Sequence, residues 1–317
     1  MAHIGIIGVG SYVPPHEMSN DDWAEIVDTS DEWITTKTGM KKRRIADSDV
    51  CTSDLAVEAC KVALENSGLK VSDIDLIILA TSSPDVPMSS TAGIVQDKLG
   101  CTDCVAFDIN AVCAGWVHAL DIGSRFAGSE GYENVLVVGS EVYSRILNWR
   151  DRSTCVLFGD GAGAVVLSKV PEGKGIIGSW MMSDGSGSSV IEIPAGGTRI
   201  PIPSEEFKDG MQYFHMDGRA VWDFAIEAFP QAVLSVLERC GKTIDEVDLI
   251  IPHQANINII EKGMEKLGLP MGKTFTNLHK YGNTAGASVP IAMHEAFEEN
   301  RIREGDLVVT VAFGGGL

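Results

Sequence analysis

The chain has little positive charge for its length. Across 317 residues, Lys and Arg number 25 against 44 Asp and Glu, which gives a net charge of −19. A surface this acidic is repelled by the phosphates of nucleic acid and by anionic lipid headgroups. We therefore expect neither nucleic acid nor a membrane among the partners. The clearest basic run, Lys41-Lys42-Arg43-Arg44, indicates either a solvated turn or a local landing place for phosphates.

Long apolar runs and a leader pattern are also missing. No run in the sequence reaches the ~20 apolar residues that a membrane-spanning helix needs. The segment from Met1 to Gly8 has no basic stretch followed by a long apolar one, and is typical of a first strand rather than a signal peptide. These two absences predict a cytoplasmic protein.

Cysteine is sparse, and its number is odd. Seven cysteines are scattered over the chain, a pattern that indicates reduced thiols in the cytosol. Cys101 and Cys104 form a single C-x-x-C pair. A zinc site would also need a second such pair, or histidines at ligand spacing. Neither follows, so no metal site is predicted.

Short motifs recur in the same order at offsets of 168 to 173 residues. The recurring pairs are Gly5-Ile-Ile-Gly8 with Gly175-Ile-Ile-Gly178, Asp75-Leu-Ile-Ile78 with Asp248-Leu-Ile-Ile251, Lys98-Leu-Gly100 with Lys266-Leu-Gly268, and Ala114-Gly115 with Ala285-Gly286. A shared order at a near-constant offset is the signature of an internal repeat. The sequence therefore predicts two copies of one unit, residues 1–170 and 171–317.

Within each copy, apolar strands alternate with helices. The predicted strands lie near 4–8, 74–80, 104–109, 134–139 and 162–168 in the first copy, and near 175–180, 247–252, 273–276 and 306–312 in the second. This alternation predicts an α/β protein with largely parallel sheets covered on both faces. The second copy has no room before Leu317 for a fifth strand, so we expect an exposed sheet edge there or a longer natural chain.

Reactive groups follow several of these strands. Cys113 stands at a tight turn after strand 104–109, where the dipole of the next helix favours a thiolate. His253 follows strand 247–252, Asn283 follows 273–276, and the run Gly314 to Gly316 follows 306–312. Ligands of open α/β sheets bind beyond the carboxyl ends of the strands. The sequence therefore predicts one site with a thiol, an imidazole, a carboxamide and flexible backbone amides.

These groups together suit thioester chemistry. Cys113 can accept an acyl group while its own amide and one from the glycine run hold the oxyanion. His253 and Asn283 can donate hydrogen bonds to the enolate left when a malonyl thioester loses carbon dioxide. No acidic residue is placed to orient His253, which favours a neutral imidazole. The plainer alternatives are a buried structural cysteine, a satisfied loop histidine, a helix-capping asparagine and a glycine turn.

Taken together, the motifs resemble β-ketoacyl-acyl-carrier-protein synthase III, a thiolase-fold condensing enzyme that starts bacterial fatty acid synthesis. The motifs that carry the resemblance are Asp28-Thr-Ser-Asp-Glu-Trp33-Ile, Asn110-Ala-Val-Cys113-Ala-Gly, Phe158-Gly-Asp-Gly-Ala-Gly163, Pro252-His-Gln-Ala-Asn256, Gly282-Asn-Thr-Ala-Gly-Ala-Ser288 and Ala312-Phe-Gly-Gly-Gly316. The resemblance implies a thiolase-like fold, with two duplicated βαβαβαβ(β) halves in a five-layered αβαβα sandwich, and a homodimer. It also implies condensation of an acyl-coenzyme A primer with malonyl-acyl-carrier protein, without a cofactor.

The same resemblance assigns individual residues. Cys113, His253 and Asn283 are the catalytic triad, and the amides of Cys113 and Gly315 form the oxyanion hole. The residues implied for coenzyme A are Trp33, Lys37, Arg152, Gly218, Trp222, Ala225 and Asn256, and those for the acyl pocket are Met88 and Trp116. In this family, arginine is commoner at the position of Lys37, phenylalanine at that of Trp222, and an aromatic residue near that of Met88. The primer length is therefore left open.

The rim that meets the acidic carrier protein is the least basic part of the resemblance. Asp223, Asn258 and Glu265 stand where lysines and arginines are usual, with Lys262, Lys266 and Lys273 nearby. We therefore expect weak electrostatic steering of the carrier. Two alternative functions are a related enzyme that uses a special starter or an alcohol or amine acceptor, and a non-catalytic acyl-binding protein. Retention of all three triad residues favours condensation.

Overall fold

The structure is a computed structural model that describes residues 3–315. Its strands are β1 (His3–Tyr12), β2 (Glu17–Ser19), β3 (Lys42–Arg44), β4 (Leu76–Ala80), β5 (Val105–Ile109), β6 (Val135–Glu141), β7 (Gly161–Val170), β8 (Ile191–Glu192), β9 (His215–Met216), β10 (Leu249–Pro252) and β11 (Val308–Val311). Its helices are α1 (Asn20–Ala24), α2 (Asp31–Thr38), α3 (Thr52–Ser67), α4 (Thr91–Leu99), α5 (Gly115–Phe126), α6 (Gly218–Arg239), α7 (Ile257–Leu267), α8 (Leu278–Tyr281) and α9 (Ser288–Glu298). Short 3-10 turns at Val112–Ala114 and Ala285–Ala287 lead into α5 and α9.

The larger sheet has the strand order β1-β7-β6-β4-β5. β4 runs parallel to both β5 and β6, as the alternation of strands and helices predicts. β7 instead runs antiparallel to β6 and to β1. The reason is the connection from β6 to β7, which contains a 3-10 turn at Tyr143–Arg145 but no crossover helix to return the chain for a parallel strand.

Alternating side chains of β4 cover both faces of this sheet. Leu76 and Ile78 pack into a cluster with α5 and α9, whereas Ile77 and Leu79 pack into another with α3. A strand places successive side chains on opposite faces, so a strand with both faces buried is apolar throughout.

The second sheet sits on the other side of α5 and α9. Leu249 and Ile251 of β10 join the cluster that contains α5 and α9, while Ile250 packs with Phe229 of α6 and Ile260 of α7. The layers are therefore α3 and α4, the larger sheet, α5 and α9, the sheet of β10 and β11, and α6 and α7. The predicted α/β fold with five stacked layers is confirmed.

Strand pairing aligns the two halves at one offset. Leu76 pairs with Val135 in the larger sheet, and Leu249 pairs with Val308 in the smaller one, so each residue lies 173 positions from its counterpart. The 3-10 turns Val112–Ala114 and Ala285–Ala287 match at that same offset. The sequence match of Ala114-Gly115 with Ala285-Gly286 is therefore misaligned by two residues. The division into 1–170 and 171–317 rests on these pairings and stays a proposal.

The second half has fewer strands than predicted. The strand expected at 273–276 is reduced to one bridge between Ile250 and Thr274. The segment 175–180 forms no strand, although the Ile176 N–H bonds the Ile4 carbonyl at 2.7 Å. In the larger sheet β7 separates β1 from β6, and residues 3–315 contain no equivalent strand between 175–180 and β11. Without a strand equivalent to β7 beside it, the segment 175–180 has no partner with which to form a ladder of backbone hydrogen bonds.

β11 pairs with β10 on one side only within the described residues. Whether that side of β11 is an exposed edge, as expected from the sequence, stays a prediction. Gly316 and Leu317 lie outside the described residues. The predictions for the end of the glycine run and for the end of the chain fall on these two residues.

Three further expectations need correction. β5, predicted to be buried, is the edge strand of the larger sheet, and Val105 is 48% exposed. Cys101 and Cys104 are paired as a disulfide, so the expectation of reduced cysteines is wrong for this pair. α6 is 22 residues long and contains an 18-residue window with a mean hydropathy of 1.3, so it does reach the length and composition of a membrane span. Its Phe229 and Val233 nevertheless pack into the core against α7 and β11.

Candidate active site

Cys113 lies in a strained turn between β5 and α5. Val112 has a φ of 48°, a left-handed conformation that is rare for a β-branched residue. The next residue, Cys113, is 7% exposed, and α5 begins two residues later at Gly115. Strain of this kind persists only where the surrounding structure enforces it, and it is concentrated at functional sites.

The Cys113 thiol is protonated in the free protein. Burial, followed by the nearby Glu141 carboxylate, raises the pKa of this thiol above its ordinary value. This desolvation opposes the effect of the helix dipole, which favours the thiolate.

His253 is held at the end of β10 by both its backbone and its ring. Its N–H donates to the Val311 carbonyl at 2.8 Å, and the ring is 2% exposed. Nδ1 lies 2.6 Å from the Ser288 hydroxyl, which also accepts from the Gln254 N–H at 3.3 Å. A neutral ring whose Nδ1 accepts the Ser288 hydroxyl proton carries its own proton on Nε2. Burial lowers the pKa of His253 to about 3, so the ring is neutral.

Asn283 is fixed in a similar way. Its N–H donates to the Leu157 carbonyl at 2.9 Å, and its carbonyl accepts from the Gly159 N–H at 3.0 Å. The side-chain Oδ1 accepts from the Ala285 N–H at 2.8 Å, which leaves the Nδ2 amide group as the free end. The same side chain therefore caps the 3-10 turn and presents a hydrogen-bond donor.

The C-terminal turn joins these groups. The Phe313 ring packs edge-on against His253, with 5.7 Å between the ring centroids. Gly314 follows, and a Cβ on that residue would lie 2.8 Å from the Cys113 nitrogen. Cys113 also shares a buried cluster with Ala285, two residues after Asn283. The structure thus brings together the three side chains that the sequence singles out.

The backbone amides of Cys113 and Gly315 lie in two turns that approach each other. Within residues 3–315, neither N–H donates to a backbone carbonyl outside the helices and strands. A Cβ on Gly315 would lie 3.0 Å from Val112 Cγ2, which shows how closely the two turns approach. Amides placed in this way suit an oxyanion.

Sequence reasoning missed Glu141, the last residue of β6. The side chain is fully buried and accepts hydrogen bonds from the hydroxyls of Thr81, Ser82 and Ser83, at 3.2, 2.9 and 2.5 Å. A Cβ on Gly286 would lie 3.1 Å from its Oε1. Burial raises the pKa of Glu141 to about 7. Considering the end of β6 as well as the ends of the other strands would have found it.

Several residues assigned to coenzyme A meet where α2 approaches α7. The Arg152 guanidinium carbon lies 5.2 Å from the centre of the Trp33 ring. Asn256 donates to the Lys37 carbonyl at 2.9 Å and caps α7 through the Asn258 N–H, also at 2.9 Å. Trp33 is 38% exposed, so a planar ligand can reach this pair from solvent.

Other predicted ligand contacts lie elsewhere. Gly218 is the first residue of α6, and Trp222 packs partly buried against the core below it. Ala225 and Trp116 are fully buried, so in this structure neither side chain lines an open channel. Met88 is 91% exposed. These ligand-contact assignments stay predictions.

Stacked α/β layers, with a cysteine at one strand end facing a neutral histidine and an asparagine donor from the other half, define a thiolase-like condensing enzyme. A family model described as 3-oxoacyl-[acyl-carrier-protein (ACP)] synthase III matches residues 107–185, and the corresponding C-terminal model matches residues 237–317. The chain belongs to the 3-oxoacyl-acyl-carrier-protein synthase III family.

Individual relatives agree over nearly the whole chain. The β-ketoacyl-acyl-carrier-protein synthase III of Caldanaerobacter subterraneus subsp. tengcongensis is 50% identical over 313 residues, which cover 99% of this chain and 95% of that protein. The crystal structure of the synthase III from Aquifex aeolicus is 44% identical, with a TM-score of 0.91 over 99% of this chain and 97% of that one. The Thermus thermophilus structure is 40% identical, with a TM-score of 0.92 over 99% and 96%.

Proposed function

We propose that this chain condenses an acyl-coenzyme A primer with malonyl-acyl-carrier protein, releasing carbon dioxide and giving the 3-oxoacyl-acyl-carrier protein that starts fatty acid synthesis in the cytoplasm. The observation that carries the proposal is the orientation of His253 and Asn283. Ser288 occupies Nδ1 of the histidine, and Ala285 occupies Oδ1 of the asparagine. Both side chains therefore present an N–H donor, which is what an enolate oxygen needs. No observation favours a special starter unit.

In the first step, Cys113 takes the acyl group from coenzyme A. The Cys113 sulfur bonds the thioester carbon while the amides of Cys113 and Gly315 hold the oxyanion. The carbon–sulfur bond to coenzyme A then breaks. Since His253 already carries its proton on Nε2, it is not the base in this step. The Cys113 proton leaves with the coenzyme A thiolate, so one thioester and one thiol are exchanged for another of each.

In the second step, the malonyl group loses carbon dioxide. The electron pair of the broken carbon–carbon bond moves into the thioester as an enolate, whose oxygen accepts hydrogen bonds from His253 Nε2 and Asn283 Nδ2. The enolate carbon then attacks the acyl group on Cys113 and releases the Cys113 thiolate, which takes up a proton from water to restore the thiol. The donors are buried and neutral, so the developing negative charge is stabilised without a proton being removed.

The test separates acylation from decarboxylation. Cys113→Ala should abolish both the acyl adduct, measured by intact-protein mass spectrometry, and condensation. His253→Ala and Asn283→Ala should lower carbon dioxide release and condensation on the order of 10²-fold, the scale of losing one oxyanion donor, while acyl labelling of Cys113 falls much less. His118→Ala, a partly buried histidine on α5, is the matched control and should behave like wild type. Equal loss of both steps in the His253 and Asn283 variants would contradict this division of roles.

We also infer that coenzyme A binds at Trp33, Arg152 and Lys37. Trp33 offers a ring and Arg152 a planar cation, and both stack on an adenine face. The ring-to-guanidinium separation of 5.2 Å must widen to admit a base, because each stacked layer needs about 3.5 Å. Lys37 on the same helix adds a positive charge for phosphate.

A homodimer is the proposed assembly. The free edge of β5 and the exposed side chain of Val105 support it, as does Met88, which projects from a neighbouring segment. A solvent-exposed edge strand favours pairing with another strand. Pairing of β5 with β5 about a two-fold axis would join the two larger sheets and give a closed assembly.

A further inference from the structure

A second cavity opens between β3 and α8. It has a volume of about 270 Å³ and shares no residue with the site around Cys113. Four of its lining residues are cations: Lys41, Lys42, Arg44 and Lys280. The other three are Glu17, His279 and Tyr281. The basic run in the sequence therefore lines a concave site rather than a flat solvated turn.

The fold fixes these cations in place. β3 pairs antiparallel with β2, so its side chains alternate between the two faces. Arg43 points inward, is fully buried, and donates to Asn20 and to the Val156 carbonyl. Its neighbours Lys42 and Arg44 consequently point out together. The Lys41 N–H donates to the His279 carbonyl at 3.3 Å, which ties the start of β3 to α8.

The charges in the cavity are only partly neutralised. Lys41 forms no ion pair within the described residues, while Lys42 and Arg44 share the single carboxylate of Glu17, at 2.6 and 3.2 Å. Lys280 lies between two carboxylates, 3.3 Å from Glu295 and 3.6 Å from Glu299. The two ion pairs of Glu17 are exposed and contribute at most ~1 kcal/mol each, so an incoming anion can replace them at little cost. On a chain of net charge −19, four clustered cations against three carboxylates make the cavity a locally positive site.

We propose that this cavity binds a diphosphate group. Its volume is just below the ~300–1,000 Å³ typical of pockets for whole small molecules, and corresponds to roughly nine waters at about 30 Å³ each. A diphosphate fits such a volume, whereas a nucleoside would remain outside. The Arg44 guanidinium and the lysine ammonium groups are the donors that phosphate oxygens prefer. The ligand is either free pyrophosphate or the end of a nucleoside diphosphate.

Isothermal titration calorimetry of the full chain with inorganic pyrophosphate tests the site. Saturating coenzyme A is present throughout, so that phosphate sites near Trp33 and Arg152 are already filled. The double variant Lys41→Ala, Lys280→Ala should weaken binding at least ~10-fold, the scale expected for two charge-assisted contacts. Glu17→Gln should tighten binding by ~2- to 10-fold, because it removes the competing carboxylate. Unlike a loss of binding, this gain cannot come from misfolding.

The matched control is Lys61→Ala, Lys242→Ala, which removes two exposed, ion-paired lysines elsewhere and should leave binding unchanged. The site is overturned if wild type does not bind pyrophosphate, if the control weakens binding as much as the double variant, or if Glu17→Gln has no effect. Titration with ADP identifies the source. If ADP binds and its binding depends on Lys41 and Lys280, the ligand is a nucleoside diphosphate. If pyrophosphate binds and ADP does not, the ligand is the free ion. Either result supports the site. Binding is measured without turnover, so this result is independent of the condensation reaction.

Discussion

In the proposed mechanism, a single hydroxyl sets the proton position of the candidate catalytic histidine. The Ser288 hydroxyl bonds His253 Nδ1 at 2.6 Å, so Ser288→Ala should let the ring populate the tautomer with its proton on Nδ1. The loss of one hydrogen bond of ~0.5–1.5 kcal/mol should lower decarboxylation by ~2- to 10-fold. Acylation of Cys113 should change less, because Nε2–H acts only on the enolate.

Imidazole ¹⁵N NMR on histidine-labelled protein checks the cause directly. Wild type should show His253 protonated on Nε2, and Ser288→Ala should show mixed tautomers. Ser288→Thr keeps the hydroxyl and should restore the wild-type spectrum. If Ser288 has a purely structural role, Ser288→Ala should change the melting temperature and leave the tautomer unchanged. That outcome would show that Ser288 does not set the tautomer.

Glu141 makes stability fall as pH rises. Its pKa is raised from 4.5 to about 7 in the folded chain. Between pH 4.5 and about pH 7, Glu141 has lost its proton in the unfolded chain but retains it in the folded chain. The free energy of unfolding therefore decreases as the pH rises. Glu141→Gln abolishes this titration. Its stability relative to wild type should therefore increase between about pH 5 and pH 8, by up to ~3 kcal/mol at 1.36 kcal/mol per pKa unit.

Denaturant unfolding of the two proteins at each pH measures the difference. Wild type must be compared with the variant because His253 changes the stability in the opposite direction. The pKa of His253 is lowered to about 3 from 6.5, so its contribution to the free energy of unfolding is lost as the pH falls below 6.5. A stability difference that stays flat across the window would show that Glu141 is already ionised in the folded state.

At the scale of elements, α6 and α7 present a neutralised face. The lysines of α7 are each held by a carboxylate, Lys262 by Glu265 at 2.7 Å and Lys266 by Glu227. Asp223 of α6 likewise pairs with Arg219 at 2.9 Å. If this face meets the acidic carrier protein, steering should be weak, and kcat/KM for the malonyl-carrier substrate should depend little on salt.

Charge reversal on that face should restore steering. We expect Asp223→Lys with Glu265→Lys to raise kcat/KM by ~2- to 10-fold at low salt, with the gain disappearing as salt is added. Glu58→Lys on α3 is the matched control and should have no effect. A steep salt dependence of wild type that disappears on neutralising Lys262, Lys266 and Lys273 would show that those lysines already form the docking patch.

At the scale of the whole molecule, β5 decides the assembly. Val105 is 48% exposed on an edge strand, and a charge there should be buried and unpaired in a β5–β5 dimer. Val105→Lys should therefore convert a dimer to a monomer, measured by analytical ultracentrifugation. Ile177→Lys, at a residue 55% exposed outside that edge, should leave the dimer intact. A wild-type monomer at micromolar concentration would refute the proposed assembly.

The sequence by itself determined the fold class, most strands of the first half and the three candidate catalytic residues. These follow from local patterns, because strand and helix periods, turn residues and the offset between copies all appear within short windows. Of the three, His253 directly follows a strand, β10, whereas Cys113 lies in the turn after β5 and Asn283 comes after α8.

Only the tertiary structure decided how those residues are tuned. The hydrogen bond at His253 Nδ1 involves Ser288, 35 residues away, and the environment of Glu141 depends on serines 58 and 59 residues away. The exposed edge of β5 depends on the strand order, and the second cavity on α8 lying beside β3. Such contacts depend on which elements pack together, and burial then decides the pKa values, since desolvation acts through neighbours that no local pattern reveals.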